Sequence, residues 1–175
     1  MKLKEKDYVL VTAHRSENVD DEDSLKNIFT SLEKIHKKFK KRIIYPMHPR
    51  TTSKIKKLKI PKSIEIIKPL GFFDFTKLEK NAFCLITDSG TVPEESLYFR
   101  VPSITIRETT ERPEFIEAGF NILAGLEPDD IVNAVNVITS SNIKSEWNSN
   151  YGDGHTSSKV LNILSGKFSR VKHLK

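Results

Sequence analysis

Residues 70–113 read LGFFDFTKLEKNAFCLITDSGTVPEESLYFRVPSITIRETTERP, and the fold is decided within this stretch. Phe83 to Thr87 is a short apolar run that suits a buried strand. The chain then turns polar at Asp88-Ser89-Gly90-Thr91 and continues into the helix formers Glu94-Glu95-Ser96-Leu97. A strand, a tight turn and a helix start leave the first helical N–H groups unpaired and directed outward. Together with the helix dipole they suit an anion, most often a phosphate. Ser89 adds a hydroxyl donor, and Gly90 permits close approach. The same residues also fit a plain helix cap, because serine and aspartate are favoured there. A second strand, Ser103 to Ile106, runs into Arg107 and the cluster Glu108-Thr109-Thr110-Glu111-Arg112-Pro113. In an open parallel sheet both loops lie at the carboxyl edge, where ligands bind.

Outward from that stretch, strands and helices alternate. Tyr8 to Thr12 reads as the first strand. Ser24 to Phe39 carries Leu25, Ile28, Phe29, Leu32, Ile35 and Phe39 at the spacing of one helical face. Arg42 to Tyr45 and Ile64 to Ile67 read as strands separated by a short helix, Thr51 to Leu58, and Asp74 to Asn81 reads as a helix capped at Asp74. After the central stretch come a short helix over Pro113 to Ala118, a sixth strand over Ile122 to Ala124, and a helix over Pro128 to Ile138. That last helix has proline in its first turn and Asp129-Asp130 at its positive end. Beyond Thr139 the pattern breaks into a polar stretch and a Tyr151-Gly152-Asp153-Gly154 turn before a final helix, Ser157 to Leu164. Repeated strand–helix units predict an α/β fold with a doubly wound, Rossmann-like parallel sheet covered on both faces.

Three more polar groups fall at strand ends: Thr12-Ala13-His14-Arg15-Ser16-Glu17-Asn18, His48-Pro49-Arg50 and Lys68-Pro69-Leu70-Gly71. In a parallel sheet these turns share the edge that carries Ser89 and Arg112. Histidines, arginines and a helix N-terminus on one edge fit a diphosphate better than a neutral ligand.

Composition narrows the classes. With 175 residues, 37% of them hydrophobic, the chain is long enough to bury a core as one domain. No apolar run approaches a membrane span and no leader-like segment follows Met1, so the sequence predicts a soluble, intracellular (cytoplasmic) protein that does not engage a membrane. The lone cysteine, Cys84, lies in an apolar strand, which excludes a disulfide framework and a cysteine metal site. The charge of +6 comes mostly from Lys37-Lys38, Lys40-Lys41-Arg42, Lys54 to Lys59 and the tail after Gly166. These lysines have no aromatic interleaving and no nucleic-acid motif, so they read as solvated faces rather than as a nucleic-acid surface.

Several of these motifs occur together elsewhere. His14-Arg15 with Glu17-Asn18, His48-Pro49-Arg50, Asp88-Ser89-Gly90 with Glu94-Glu95, Thr109 to Glu114, and Tyr151-Gly152-Asp153-Gly154 stand in the order and spacing of the non-hydrolysing UDP-N-acetylglucosamine 2-epimerases. From Tyr8 to about Leu164 the chain resembles the carboxyl-terminal half of that family, whose members have two Rossmann-like domains facing across a cleft, as in B-type glycosyltransferases. The resemblance implies a UDP-binding Rossmann-like domain over residues 1–165 and a basic tail over 166–175. Its ligand is a UDP-aminosugar, with no cofactor and no metal. Its partner is an amino-terminal domain, and the full-length enzyme is a homodimer.

Position by position, the resemblance makes His14 a diphosphate contact and the catalytic group that favours departure of UDP. Arg15 joins it in binding substrate. Ser89, Gly90 and Thr91 form the phosphate turn, where Thr91 replaces the second glycine of many relatives. Phe75 lies beside the uracil, Glu95 accepts from the ribose hydroxyls, and Arg112 contacts the nucleotide sugar. The family inverts C2 by eliminating UDP to a glycal and adding it back, with acid and base carboxylates drawn from the amino-terminal domain. Two other readings stay open: a stand-alone uridine-nucleotide-binding module, and the donor-site half of a B-type glycosyltransferase. The sugar is open too. Residues 70–75 and 81–84 resemble enzymes acting on modified aminosugars, whereas Thr109-Thr110 resembles the N-acetylglucosamine enzymes.

Overall fold

The computed structural model describes residues 3–55, 58–141 and 154–166. Tyr8–Thr12 (β1) begins the sheet, followed by Ser16–Val19 (α1), Glu22–Phe39 (α2), Arg42–Pro46 (β2), Pro49–Lys54 (α3) and Ile64–Ile67 (β3). Then come Phe72–Asn81 (α4), Cys84–Thr87 (β4), Val92–Phe99 (α5), Ser103–Thr105 (β5), Pro113–Glu117 (α6), Asn121–Leu123 (β6) and Pro128–Ser140 (α7). All pairings are parallel, in the order β3-β2-β1-β4-β5-β6. The order reverses between β1 and β4, where Val9 to Thr12 run beside Cys84 to Thr87. The connections leaving those two strands run to helices on opposite faces of the sheet, and such a reversal is where ligands bind in open parallel sheets.

Alternation within the strands builds two cores. Val9 and Val11 of β1, Ile43 and Tyr45 of β2, and Cys84 and Ile86 of β4 face α2 and α7. Tyr8, Leu10, Ile44 and Leu85 point the other way, beneath Val92, Phe75 and Leu78. On α2, Leu25, Ile28, Phe29, Leu32 and Ile35 are buried. Each such side chain contributes about 1.5–3 kcal/mol as an upper estimate. The helix starts at an Asp21 cap whose carboxylate accepts from the Ser24 N–H, and it ends at Lys40 in the left-handed region.

The α/β class, the parallel sheet and the coverage of both faces match the sequence expectation, while several boundaries differ. Asp74 does not cap α4: Gly71 is the N-cap, and Asp74 lies inside the first turn, where it still favours the helix dipole. Helix α3 begins at Pro49 rather than Thr51, because Pro49 has a φ already suited to a first helical turn and His48 Nδ1 accepts from the Arg50 N–H. Helix α1 was not anticipated. Strand β6 lies one residue earlier than read, with the Asn121 amide buried in it.

By chain contacts the protein divides into two units, Met1–Ser145 and Glu146–Lys175. The second contains Thr156–Leu164 (α8), whose Val160, Leu161, Ile163 and Leu164 are exposed. The expected turn at Tyr151-Gly152-Asp153 and the basic tail from 167 onward lie outside the described residues. No helix among the described residues is long and apolar enough to cross a membrane.

Candidate functional site

The site is built around Asp88, the first residue after β4. Its side chain is fully buried, yet it does not cap α5, whose N-cap is Thr91. Asp88 Oδ2 instead accepts from the His14 N–H at 2.9 Å, the Arg15 N–H at 2.8 Å and Asn18 Nδ2 at 3.2 Å. Asn18 also donates to the Ile106 carbonyl at 2.9 Å, which draws the end of β5 into the same knot. A buried carboxylate must find donors, and here the donors are the loop that carries His14 and Arg15. From the other side Tyr45 Oη and Thr51 Oγ1 both donate to the Ala13 carbonyl, at 2.7 and 3.1 Å. Burial raises the Tyr45 phenol pKa, so the hydroxyl remains a donor. The His14 loop is therefore held from two sides.

His14 presents a half-exposed imidazole, its Nδ1 3.8 Å from Asp88 Oδ1 and its ring 5.8 Å from that of His48. In the adjoining turn Ser89 N–H donates to Thr87 Oγ1, Ser89 Oγ lies 3.1 Å from Thr91 Oγ1, and the Thr91 N–H donates to Ser89 Oγ at 3.3 Å. The Thr91 side chain thus braces the serine. A Cβ placed on Gly90 would stand 2.9 Å from Glu111 Oε1 and 3.9 Å from Arg15 Nη2, so the turn, Arg15 and Glu111 converge there.

The structure brings together His14, Arg15, Ser89, Gly90, Thr91 and, through Glu111, the loop after β5. Three arginines of this edge, Arg15, Arg107 and Arg112, are each matched by an acid. Arg15 lies 3.6 Å from Glu111 and 3.7 Å from Glu17, while Arg107 binds Glu111 at 2.7 Å. The Glu111 pKa is lowered by its own backbone N–H and then by Arg107. Arg112 Nε is 3.0 Å from Glu94 Oε1, a charge contact whose N–H is not aligned for a hydrogen bond. Arg50, counted at this edge in the sequence, turns away to Asp20, which also pairs with Lys54. Phe75 is partly buried in the second core, while Phe72 and Phe73 of the same helix start are exposed. Glu95 lies half-buried on α5 and faces Glu79 of α4.

Sequence reasoning missed the knot made by Asp88, Asn18 and Tyr45, the bridging role of Glu111, and Glu79. Among the described residues no group of three or more His, Cys, Asp or Glu side chains is arranged to hold a metal ion. Cys84 is buried in the core with its thiol pKa pushed up to about 12 by burial, so it has no nucleophilic role.

Residues 1–165 match the family model described as UDP-N-acetylglucosamine 2-epimerase. The chain belongs to the UDP-N-acetylglucosamine 2-epimerase family. It is 44% identical over 170 residues to a UDP-N-acetylglucosamine 2-epimerase of Methanococcus maripaludis, covering 94% of this chain and 46% of that relative. It is 32% identical over 157 residues to the UDP-2,3-diacetamido-2,3-dideoxy-D-glucuronate 2-epimerase of Pseudomonas aeruginosa, covering 90% of this chain and 44% of the relative. Among solved structures, the Methanocaldococcus jannaschii UDP-GlcNAc 2-epimerase in complex with UDP-GlcNAc and UDP superposes with a TM-score of 0.83 at 42% identity, over 92% of this chain and 46% of that one. The glycotransferase of kitacinnamycin, at 12% identity and a TM-score of 0.58, shares the fold alone. The chain spans about half the length of the curated relatives it matches.

Proposed function

We propose that this chain binds the UDP part of a UDP-aminosugar and supplies the leaving-group half of a 2-epimerase site. The observation that carries the reading is the clamp of Asp88 on the His14–Arg15 loop beside the Ser89–Thr91 turn, at the point where strand order reverses. Family membership supports it.

In this reading the diphosphate lies against the Ser89-Gly90-Thr91 turn, with Arg15, His14 and Arg112 around it. The ribose hydroxyls donate to Glu95, and Phe75 lies beside the uracil. A carboxylate suits a diol, and cations with N–H groups suit a diphosphate. Elimination breaks the C1–O bond with its electron pair leaving on UDP. The C2 proton passes to a base, and a C1–C2 double bond forms. Re-addition of UDP with protonation of C2 from the other face gives the epimer. Preorganised charge around the diphosphate lowers the barrier to its departure. The acid and base at C2 come from an amino-terminal domain, so these 175 residues bind without turnover.

The test is an NMR assay in deuterated water with UDP-N-acetylglucosamine. One arm uses this chain alone, and the other joins it to the amino-terminal domain of a relative. Deuterium at C2 is expected only in the second. Its appearance with the chain alone would place a base within this chain and overturn the division of labour.

A further inference from the structure

Helices α4 and α5 pack side by side, and Glu79 of α4 is fully buried between the helices and the sheet. Neither oxygen of Glu79 receives a hydrogen bond from a donor among the described residues. Its neighbour is another carboxyl, Glu95 of α5, which is half-buried. Two ionised carboxylates in contact are both acceptors and repel. The arrangement becomes favourable when one of them carries a proton and donates it to the other.

The surroundings determine which one. Glu95 is the charged group that acts on Glu79. Tyr8, the titratable residue that β1 contributes to this core, uses its hydroxyl on the Leu78 carbonyl at 2.7 Å, and burial pushes its pKa up to about 12. Beside Glu95 on its own helix, Glu94 is already opposite Arg112. No donor among the described residues reaches Glu79, so the buried member of the pair keeps the proton and offers it to Glu95.

We propose that Glu79 and Glu95 share one proton, and that Glu79 is a positioning residue whose carboxylic acid O–H fixes the Glu95 carboxylate as the acceptor for the ribose diol. This rests on the reading of Glu95 as the ribose contact. One Glu95 oxygen takes the Glu79 proton, and the lone pairs of the other remain directed at the ligand. Burial, and secondarily the Glu95 charge, pushes the Glu79 pKa up to about 8. Ionisation above that pH leaves two like charges in contact and drives the Glu95 side chain from its place. Ribose binding is therefore lost on the alkaline side, while diphosphate binding is not.

The experiment has two arms. In the first, the carboxyl carbons of glutamate-labelled protein are titrated by carbon NMR. One glutamate titrates near 8, its signal vanishes in Glu79→Gln, and in Glu95→Gln the Glu79 pKa shifts down as the like charge is removed. Ordinary titration of every glutamate would overturn the shared proton. In the second, UDP and pyrophosphate are titrated calorimetrically into the wild type, Glu79→Gln, Glu79→Leu and Glu95→Ala at pH 7 and pH 9. Glu79→Leu, which fills the space without a donor, should lose about tenfold in UDP affinity and little for pyrophosphate. Glu79→Gln, which keeps a donor towards Glu95, should recover most of that loss and abolish the alkaline fall of the wild type. An alkaline fall that persists in Glu79→Gln, or full UDP affinity in Glu79→Leu, refutes the positioning role. If Glu95→Ala binds UDP as the wild type does, or the wild type does not bind UDP, the ribose reading fails instead. The carbon titration still decides whether the proton is shared.

Discussion

The knot at Asp88 makes the sharpest demand on the variants. In Asp88→Ala the His14 N–H, the Arg15 N–H and Asn18 Nδ2 lose their common acceptor, and the site of the lost carboxylate is fully buried. A donor left without a partner costs about 1–3 kcal/mol, but the two backbone donors are only partly buried and water can reach them. A total of about 3–4 kcal/mol is expected, a large share of the 5–15 kcal/mol that typically holds a domain folded. Asp88→Asn keeps the shape and one acceptor oxygen. Its amide nitrogen takes the place of Oδ1, which accepts no hydrogen bond among the described residues, so the cost falls to about 1–2 kcal/mol. Urea denaturation with a common m-value should rank wild type, Asn and Ala in that order. UDP affinity should fall in parallel, because the loop bearing His14 and Arg15 loses its anchor. An Asp88→Ala protein within about 0.5 kcal/mol of the wild type, the usual range for an uninvolved surface site, would refute the reasoning.

Four further outcomes follow from the same geometry. Tyr45→Phe removes one of the two hydroxyls on the Ala13 carbonyl and should cost about 1 kcal/mol by urea denaturation, with the remaining Thr51 bond limiting the loss. Gly90→Ala requires only the exposed end of Glu111 to move, so thermal stability should stay within about 0.5 kcal/mol while calorimetric UDP affinity drops. Glu111→Gln frees Arg15 and Arg107 from a competing carboxylate and should raise pyrophosphate affinity by roughly two- to fivefold at low salt, the scale of an exposed ion pair. Finally, the folded protein holds a proton on Glu79 up to about pH 8, whereas the unfolded chain releases it near 4.5. This stabilisation is complete below the lower value and is lost as pH rises through the upper one, at about 1.4 kcal/mol per pH unit in between. Comparing denaturation of wild type and Glu79→Gln from pH 5 to 9 isolates the effect.

The sheet was legible because each strand is an apolar run closed by polar residues and followed by a helical period. The strand-to-helix turn was legible because Asp88-Ser89-Gly90 stands at such a junction. Its function within the knot was not, since Asp88 takes its donors from residues 70 to 74 positions away, and nothing local marks them. Glu79 sits in Lys77-Leu78-Glu79-Lys80, which looks like a solvated face. Its spacing of four from Phe75 and three from Ala82 nevertheless puts it on the buried side of α4. Helix α1 is too short for any periodicity. The cap at Gly71 lost out to Asp74 in the sequence reading because a carboxylate is the stronger local signal, although it also fits the first turn.

The Asp88 carboxylate also gives the protein an internal clock. The His14 and Arg15 amides donate to one oxygen that lies across the sheet in a different strand's loop. No small local fluctuation frees them while β1 and β4 remain paired. Their exchange with solvent deuterium should therefore be slow for loop residues and should follow the global opening of the sheet rather than loop motion. The loop proposed to meet the nucleotide would then share the lifetime of the core and be ordered without any ligand.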